Sequence, residues 1–270
     1  MGILNLTPDS FYDGGKYSRL DSALKRAEEM VSEGAGILDV GGESTRPGSQ
    51  PVSVEEEIKR VVPVVGKLAK MFPRIPISVD TQKAEVAYRS LKEGASIIND
   101  VSALRSDANM VGVLREFKPK VILMHMRGRP KNMQNRPRYV NVVDQIKGFL
   151  YERVSFAAQN GIPLRNIWVD PGVGFGKTLK HNLLIIAHAG KFLSLRRPVV
   201  LGLSRKSFIG RLLGNRKNSL PMDDRLEGSI AAGLWAYMEG VSVLRVHDVA
   251  QTRKALVVMR EILRARRLSN

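Results

Sequence analysis

Short runs of consecutive apolar residues alternate along this chain with longer stretches of helical periodicity. GILNLT at 2–7 is followed by 18–33, where Leu20, Ala23, Leu24, Ala27, Met30 and Val31 recur at helical spacing and Gly34 closes the helix. The pattern repeats as GILDV (36–40) with a helix over 54–71, PISVD (76–80) with 83–93, and ASIIND (95–100) with about 108–117. KVILMHM (120–126) precedes a helix over 142–160 and IWVD (167–170) one near 181–192. PVVLGLS (198–204) precedes one over 225–239, and VSVLRVH (241–247) one over 250–268. A parallel strand covered on both faces reads as a continuous Val/Ile/Leu run. Eight such strands with eight helices are the count of a closed (β/α)8 TIM barrel, whereas a doubly wound open sheet uses fewer and leaves edges to protect. The expected fold is therefore α/β, a single barrel domain over residues 1–270, with the active site at the carboxyl ends of the strands.

Polar residues close five of the runs: Asp80, Asn99, Asp170, Lys206 and His247. The carboxyl ends of barrel strands are where such a fold carries its chemistry, so these five are expected to converge on one pocket. Two connections are longer than the usual strand-to-helix loop, PDSFYDGGKY (8–17) and GGESTRPGSQPVS (41–53). Both are Gly-rich and rise from the face to which the strand ends point, which predicts mobile binding loops.

Composition removes several classes of function. With no cysteine, disulfides, thiolate catalysis and Cys-type metal sites are excluded, and a cytoplasmic location is the expectation. No signal peptide is predicted, and the most apolar stretch, GSIAAGLWAYMEGVSVL (228–244), is interrupted by Glu239 and Gly240, so no membrane partner is expected. A net charge of +17 raises the rival reading of a nucleic-acid-binding protein. The basic runs LRRP, GNRKN and LRARRLSN lack interleaved aromatics, which are only 6% of the chain, so they read as solvated surface that steers an anionic substrate.

The motifs LNLTPDSFYDGG, DVGGESTRPG, SVDT, IIND, LMHMRG, DPGVGFGK, GLSRKSFIG and RVHDV occur in that order. Together, from Gly2 to about Val249, they closely resemble the dihydropteroate synthase family, which joins a dihydropterin methyl diphosphate to p-aminobenzoate in folate synthesis. Pterin-dependent methyltransferases of the same barrel type are the nearest alternative, but they should lack the STRPG loop at 44–48.

A pterin offers an amino group, a ring N–H and a carbonyl along one edge, which suits a carboxylate at Asp170 and an amide at Asn99. The resemblance adds Asp80, accepting from the far ring N–H, and Lys206, donating to the carbonyl and ring nitrogen, while Met124 packs on the flat ring. Arg245 and His247 alternate along the last strand and so point to one side. The family uses that pair on the diphosphate, with Thr45 and Arg46 from the second long loop. Phe11, Arg46, Phe175 and Ser204 are the implied walls of the aminobenzoate pocket, and Lys206, Arg46 and Arg245 the implied catalytic groups. Asn5 is the implied contact to Mg²⁺, an ion that keeps most of its waters and needs few protein ligands. The resemblance also implies a homodimer through helices late in the barrel.

Two other signals are set aside. PGVGFGKT (171–178) has Pro171 where a nucleotide phosphate loop requires Gly. His125 has no partner at metal-ligand spacing and reads as a hydrogen-bonded pocket wall.

Overall fold

The computed structural model describes residues 1–6, 19–44, 48–128, 132–215 and 218–268. Among the described residues eight strands run β1 (Gly2–Asn5), β2 (Leu38–Gly41), β3 (Ile77–Asp80), β4 (Ile97–Asp100), β5 (Lys120–Met124), β6 (Ile167–Asp170), β7 (Val200–Gly202) and β8 (Val243–Arg245). The first six pair in sequence order, all parallel, and β7 pairs with β8. Parallel bridges Val169↔Val199 and Gly2↔Val246 join the two arcs, and the sheet closes into a (β/α)8 barrel.

Helices cover its outside: α1 (Arg19–Ser32), α2 (Val54–Met71), α3 (Ala84–Lys92), α4 (Met110–Phe117), α5 (Val142–Gln159), α6 (Leu179–Ala187), α7 (Ser207–Leu213), α8 (Leu226–Met238) and α9 (Val249–Leu268). Ser53 caps α2 by accepting from the Glu56 N–H, ahead of three glutamates that favour the positive helix end. Thr178 and His181 form a reciprocal capping box on α6.

Four elements differ from the sequence expectation. The helix expected near 181–192 is two elements, α6 and a 3-10 segment Ala189–Leu195, because His188 leaves helical geometry between them. A short helix, α7, follows β7 where only a loop was expected, since seven residues are too few to show a periodicity. Finally β7 stops at Gly202 and β8 at Arg245, so Lys206 and His247 stand on the loops beyond the strand ends.

The register explains why the strands read as unbroken apolar runs. One set of alternate residues, including Leu38, Val40, Ile77, Val79, Ile98, Val121, Leu123, Val169 and Leu201, packs outward into the main core with the helices. The other set faces the barrel axis, where Ile97, Ile122, Trp168 and Val200 form an apolar layer. Two residues further along those strands stand Asn99, Met124, Asp170 and Gly202, so the interior changes from apolar to polar in one step of the pleat.

Candidate active site

Asn5, Gly41, Asp80 and Asn99 are register partners on four neighbouring strands, and Met124 is the partner of Asp170. All therefore face the barrel axis near the carboxyl ends of the strands. Gly41 leaves room between neighbours: a methyl there would lie 3.6 Å from Asp80 Cβ and 3.8 Å from Asn5 Oδ1.

Opposite them stands Arg245, whose Nη2 donates to Asp80 Oδ2 at 2.8 Å and whose Nε donates to Asp39 Oδ2 at 2.5 Å. Asp39 is fully buried one rung below, and the sequence reading missed it. The signal was there, since Asp39 shares the inward parity of Gly41, but an acid inside an apolar run reads as an interruption of the strand. Burial opposes the charge of Arg245, yet Asp39 and Asp80 outweigh it and raise its pKa above the ordinary value. Asp80 is pushed up to about 7 by burial, against the pull of Arg245, and its Oδ1 is a buried acceptor with no partner among the described residues.

Lys206 is at the N-cap of α7, directly after Arg205, which adopts a left-handed φ of 56°. That turn is held by Asp248, which accepts from Arg205 Nε at 2.9 Å and Nη2 at 2.6 Å. It sends Lys206 back over the mouth, where Nζ donates to Val173 O and lies 4.6 Å from the centre of the Phe175 ring. Burial lowers the Lys206 pKa to about 8, against the attraction of Asp170. Asp170 is in turn raised by burial, with Lys206 opposing, while its Oδ1 accepts from Gly172 N at 2.7 Å. A methyl on Gly202 would touch both Lys206 Nζ, at 3.7 Å, and the Arg245 stem, at 3.9 Å, so the two cations share one space above β7.

The structure thus brings Asp80, Asn99, Asp170, Lys206, Met124 and Arg245 together, with Asn5 at their edge and Phe175 beneath Lys206. His247 meets Ser204, its Nδ1 3.1 Å from Ser204 Oγ, which also accepts from the His247 N–H at 3.2 Å. Phe11, Thr45 and Arg46 lie outside the described residues, as do the first long loop and the middle of the second. Lys83 ties down the start of the second loop by ion pairs with Glu43 and the buried Glu57.

Two clefts, of about 390 and 290 Å³, open outside this cluster along the loop after β5, lined by residues such as Arg127, Asn132, Tyr139 and Phe149. Neither is lined by Asp80, Asn99, Asp170 or Lys206. His125 is a buried wall residue as the sequence suggested, and its Nδ1 is 3.0 Å from Lys177 Nζ.

The family model for pterin binding enzymes matches residues 1–247 of the chain. Dihydropteroate synthase of Escherichia coli K12 is 45% identical over 266 residues, 98% of this chain and 92% of that protein. The Bacillus subtilis 168 enzyme is 44% identical over 265 residues, 97% and 88% of the two chains.

The chain belongs to the dihydropteroate synthase family.

As a dihydropteroate synthase it is a transferase of folate synthesis. The solved Yersinia pestis dihydropteroate synthase, in a sulfonamide drug complex, superposes with a TM-score of 0.91 at 43% identity, covering 98% of this chain and 94% of that one. The Xanthomonas albilineans dihydropteroate synthase with 4-aminobenzoic acid gives 0.91 at 42%, covering 97% and 92%. Among the described residues no helix is long and apolar enough to cross a membrane.

Proposed function

We propose that the polar layer above β3–β8 binds a dihydropterin methyl diphosphate and couples it to p-aminobenzoate, releasing diphosphate and 7,8-dihydropteroate, in one barrel domain acting in the cytoplasm. The observation that carries this reading is the convergence of Asp80, Asn99, Asp170 and Lys206, with Arg245, on one mouth. Asp170 accepts from the pterin amino group and ring N–H, Asn99 both donates and accepts, and Met124 lies against the ring. The unpartnered Asp80 Oδ1 accepts from the far ring N–H, and Lys206 leaves Val173 O to donate to the pterin carbonyl.

The methylene C–O bond breaks first, diphosphate leaving with the electron pair, and the ring-stabilised cation is attacked by the arylamine nitrogen, which then loses a proton. Arg245 gives Nε and Nη2 to the two carboxylates, and its Nη1, with His247, Thr45 and Arg46, holds the departing oxygens. Closing the two long loops excludes the water that would otherwise capture the cation. Phe175, Ser204, Phe11 and Arg46 bound the aminobenzoate.

The residues fit Mg²⁺ as cofactor. The family resemblance assigns Mg²⁺ to the Asn5 amide oxygen, which stands at the mouth near Asp80 and would suffice as a protein ligand because such an ion keeps most of its waters. When bound, it neutralises the leaving group.

A second copy of this chain is the proposed partner. Trp235 on α8 and Val258 and Ile262 on α9 expose 47%, 61% and 57% of their surface, an apolar area on the late helices that the family resemblance assigns to a homodimer.

Incubation with the pterin diphosphate, p-aminobenzoate and Mg²⁺ tests the reading: diphosphate and dihydropteroate should appear in equal amounts. Diphosphate release that ignores aminobenzoate and yields only the pterin alcohol would overturn it.

A further inference from the structure

Lys177 is the bulkiest fully buried side chain among the described residues. Its Nζ donates to Phe175 O at 2.9 Å, faces His125 Nδ1 at 3.0 Å and reaches His125 O at 3.4 Å. No carboxylate among the described residues pairs with it, and burial pushes its pKa well below the ordinary value against the pull of Asp170. A methionine would fill the same volume without desolvating an amine, so the amine has to be explained by what it grips. Two carbonyls and one imidazole nitrogen use its full hydrogen-bonding capacity.

The segment it grips is unusual in its path. His125 N donates to Asp170 O at 2.9 Å, and from there the chain runs flat against the end of β5. Gly172 and Gly176 have φ of +69° and +66°, and a Cβ on them would lie 1.9 Å from His125 O and 2.5 Å from Arg127 O. Glycine is required at both for conformation and for approach. Lys177 spans the same two segments from inside the fold, while the opposite face of the loop presents Val173 O and the Phe175 ring to Lys206. The basic residue that makes this stretch look like a phosphate loop therefore spends its hydrogen bonds on His125 and Phe175.

We propose that Lys177 is a positioning residue: by holding Phe175 O and His125 together it sets the Val173 carbonyl and the Phe175 ring at the places from which Lys206 reaches the pterin. The inference rests on the role given to Lys206 above.

The test compares the wild-type chain with Lys177→Met, His125→Leu, His125→Asn and a core control, Leu68→Ala, by calorimetric titration with the pterin diphosphate and by steady-state diphosphate release. Lys177→Met and His125→Leu should weaken pterin diphosphate binding about tenfold or more, appearing in KM more than in kcat. His125→Asn, whose side chain can still accept from Lys177, should stay within about threefold of wild type. Leu68→Ala should lower Tm yet bind normally at a temperature where it is folded. Wild-type affinity in His125→Leu, or affinity in Leu68→Ala falling as far as in Lys177→Met, overturns the proposal. If Lys177→Met does not fold, the His125 pair decides. A wild-type chain that binds no pterin diphosphate removes the parent reading instead, and is recognised because it fails before any variant is compared.

Discussion

Arg245 Nη2 donates to Asp80 Oδ2 at 2.8 Å, and that single contact links the cation of the last strand to the acid of the third across 165 positions of sequence. Because Asp39 holds the same guanidinium from below, Arg245 is anchored by two carboxylates rather than lying loose over the mouth. Asp80 has one oxygen paired with Arg245, while its Oδ1 is buried with no partner among the described residues.

The pH dependence follows from the two shifted groups. In the proposed roles, Asp80, raised to about 7, has to be ionised to accept from a ring N–H, and Lys206, lowered to about 8, has to be protonated to donate. The profile of kcat/KM for the pterin diphosphate should therefore be bell-shaped, with limbs near those values. Asp80→Asn should lose the acid limb; an unchanged limb would assign it to another group. The free protein should also lose stability as pH rises from 3.8 to about 7 and level off above that, because the folded Asp80 binds its proton more tightly than the unfolded one. Thermal melts of Asp80→Asn should be flatter over that window.

Arg245→Met leaves two buried carboxylates without their cation. A loss of about 3–5 kcal/mol in urea unfolding at pH 8 is expected. The deficit should shrink below pH 7, where Asp80 is protonated. A deficit independent of pH would place the damage elsewhere.

Lys206→Met should separate stability from function. The wild-type ammonium is disfavoured by burial, so the variant's Tm should rise by about 3 °C or more at pH 7, while pterin binding falls below detection. Retained affinity would contradict the role given to Lys206.

Arg205 and Asp248 form a two-pronged pair that turns the chain between Ser204 and Lys206. Asp248→Asn should raise KM for the pterin diphosphate and cost about 1–3 kcal/mol of stability. A double-mutant cycle with Arg205→Met should show a coupling of about 1 kcal/mol or more. Additive effects would mean that the pair does not hold the turn.

Val258→Glu with Ile262→Glu should shift the sedimentation coefficient from dimer to monomer, because charge on the exposed α9 face opposes close apolar packing. A monomeric wild type would remove the proposed interface.

Local sequence determined a great deal here. Eight Val/Ile/Leu runs interleaved with amphipathic stretches specify a barrel, because a strand covered on both faces has no polar side to reveal and a helix against it has only one apolar stripe. The polar ends Asp80, Asn99 and Asp170 were visible for the same reason, each being a break in an apolar run. Tertiary structure decided the rest. Asp39 as the anchor of Arg245, Asp248 as the brace of Arg205 and Lys177 as the grip under Phe175 depend on contacts between strands or loops that pairing and barrel closure bring together. Those contacts leave no periodic trace, since the partner that makes a buried charge tolerable can come from anywhere in the chain.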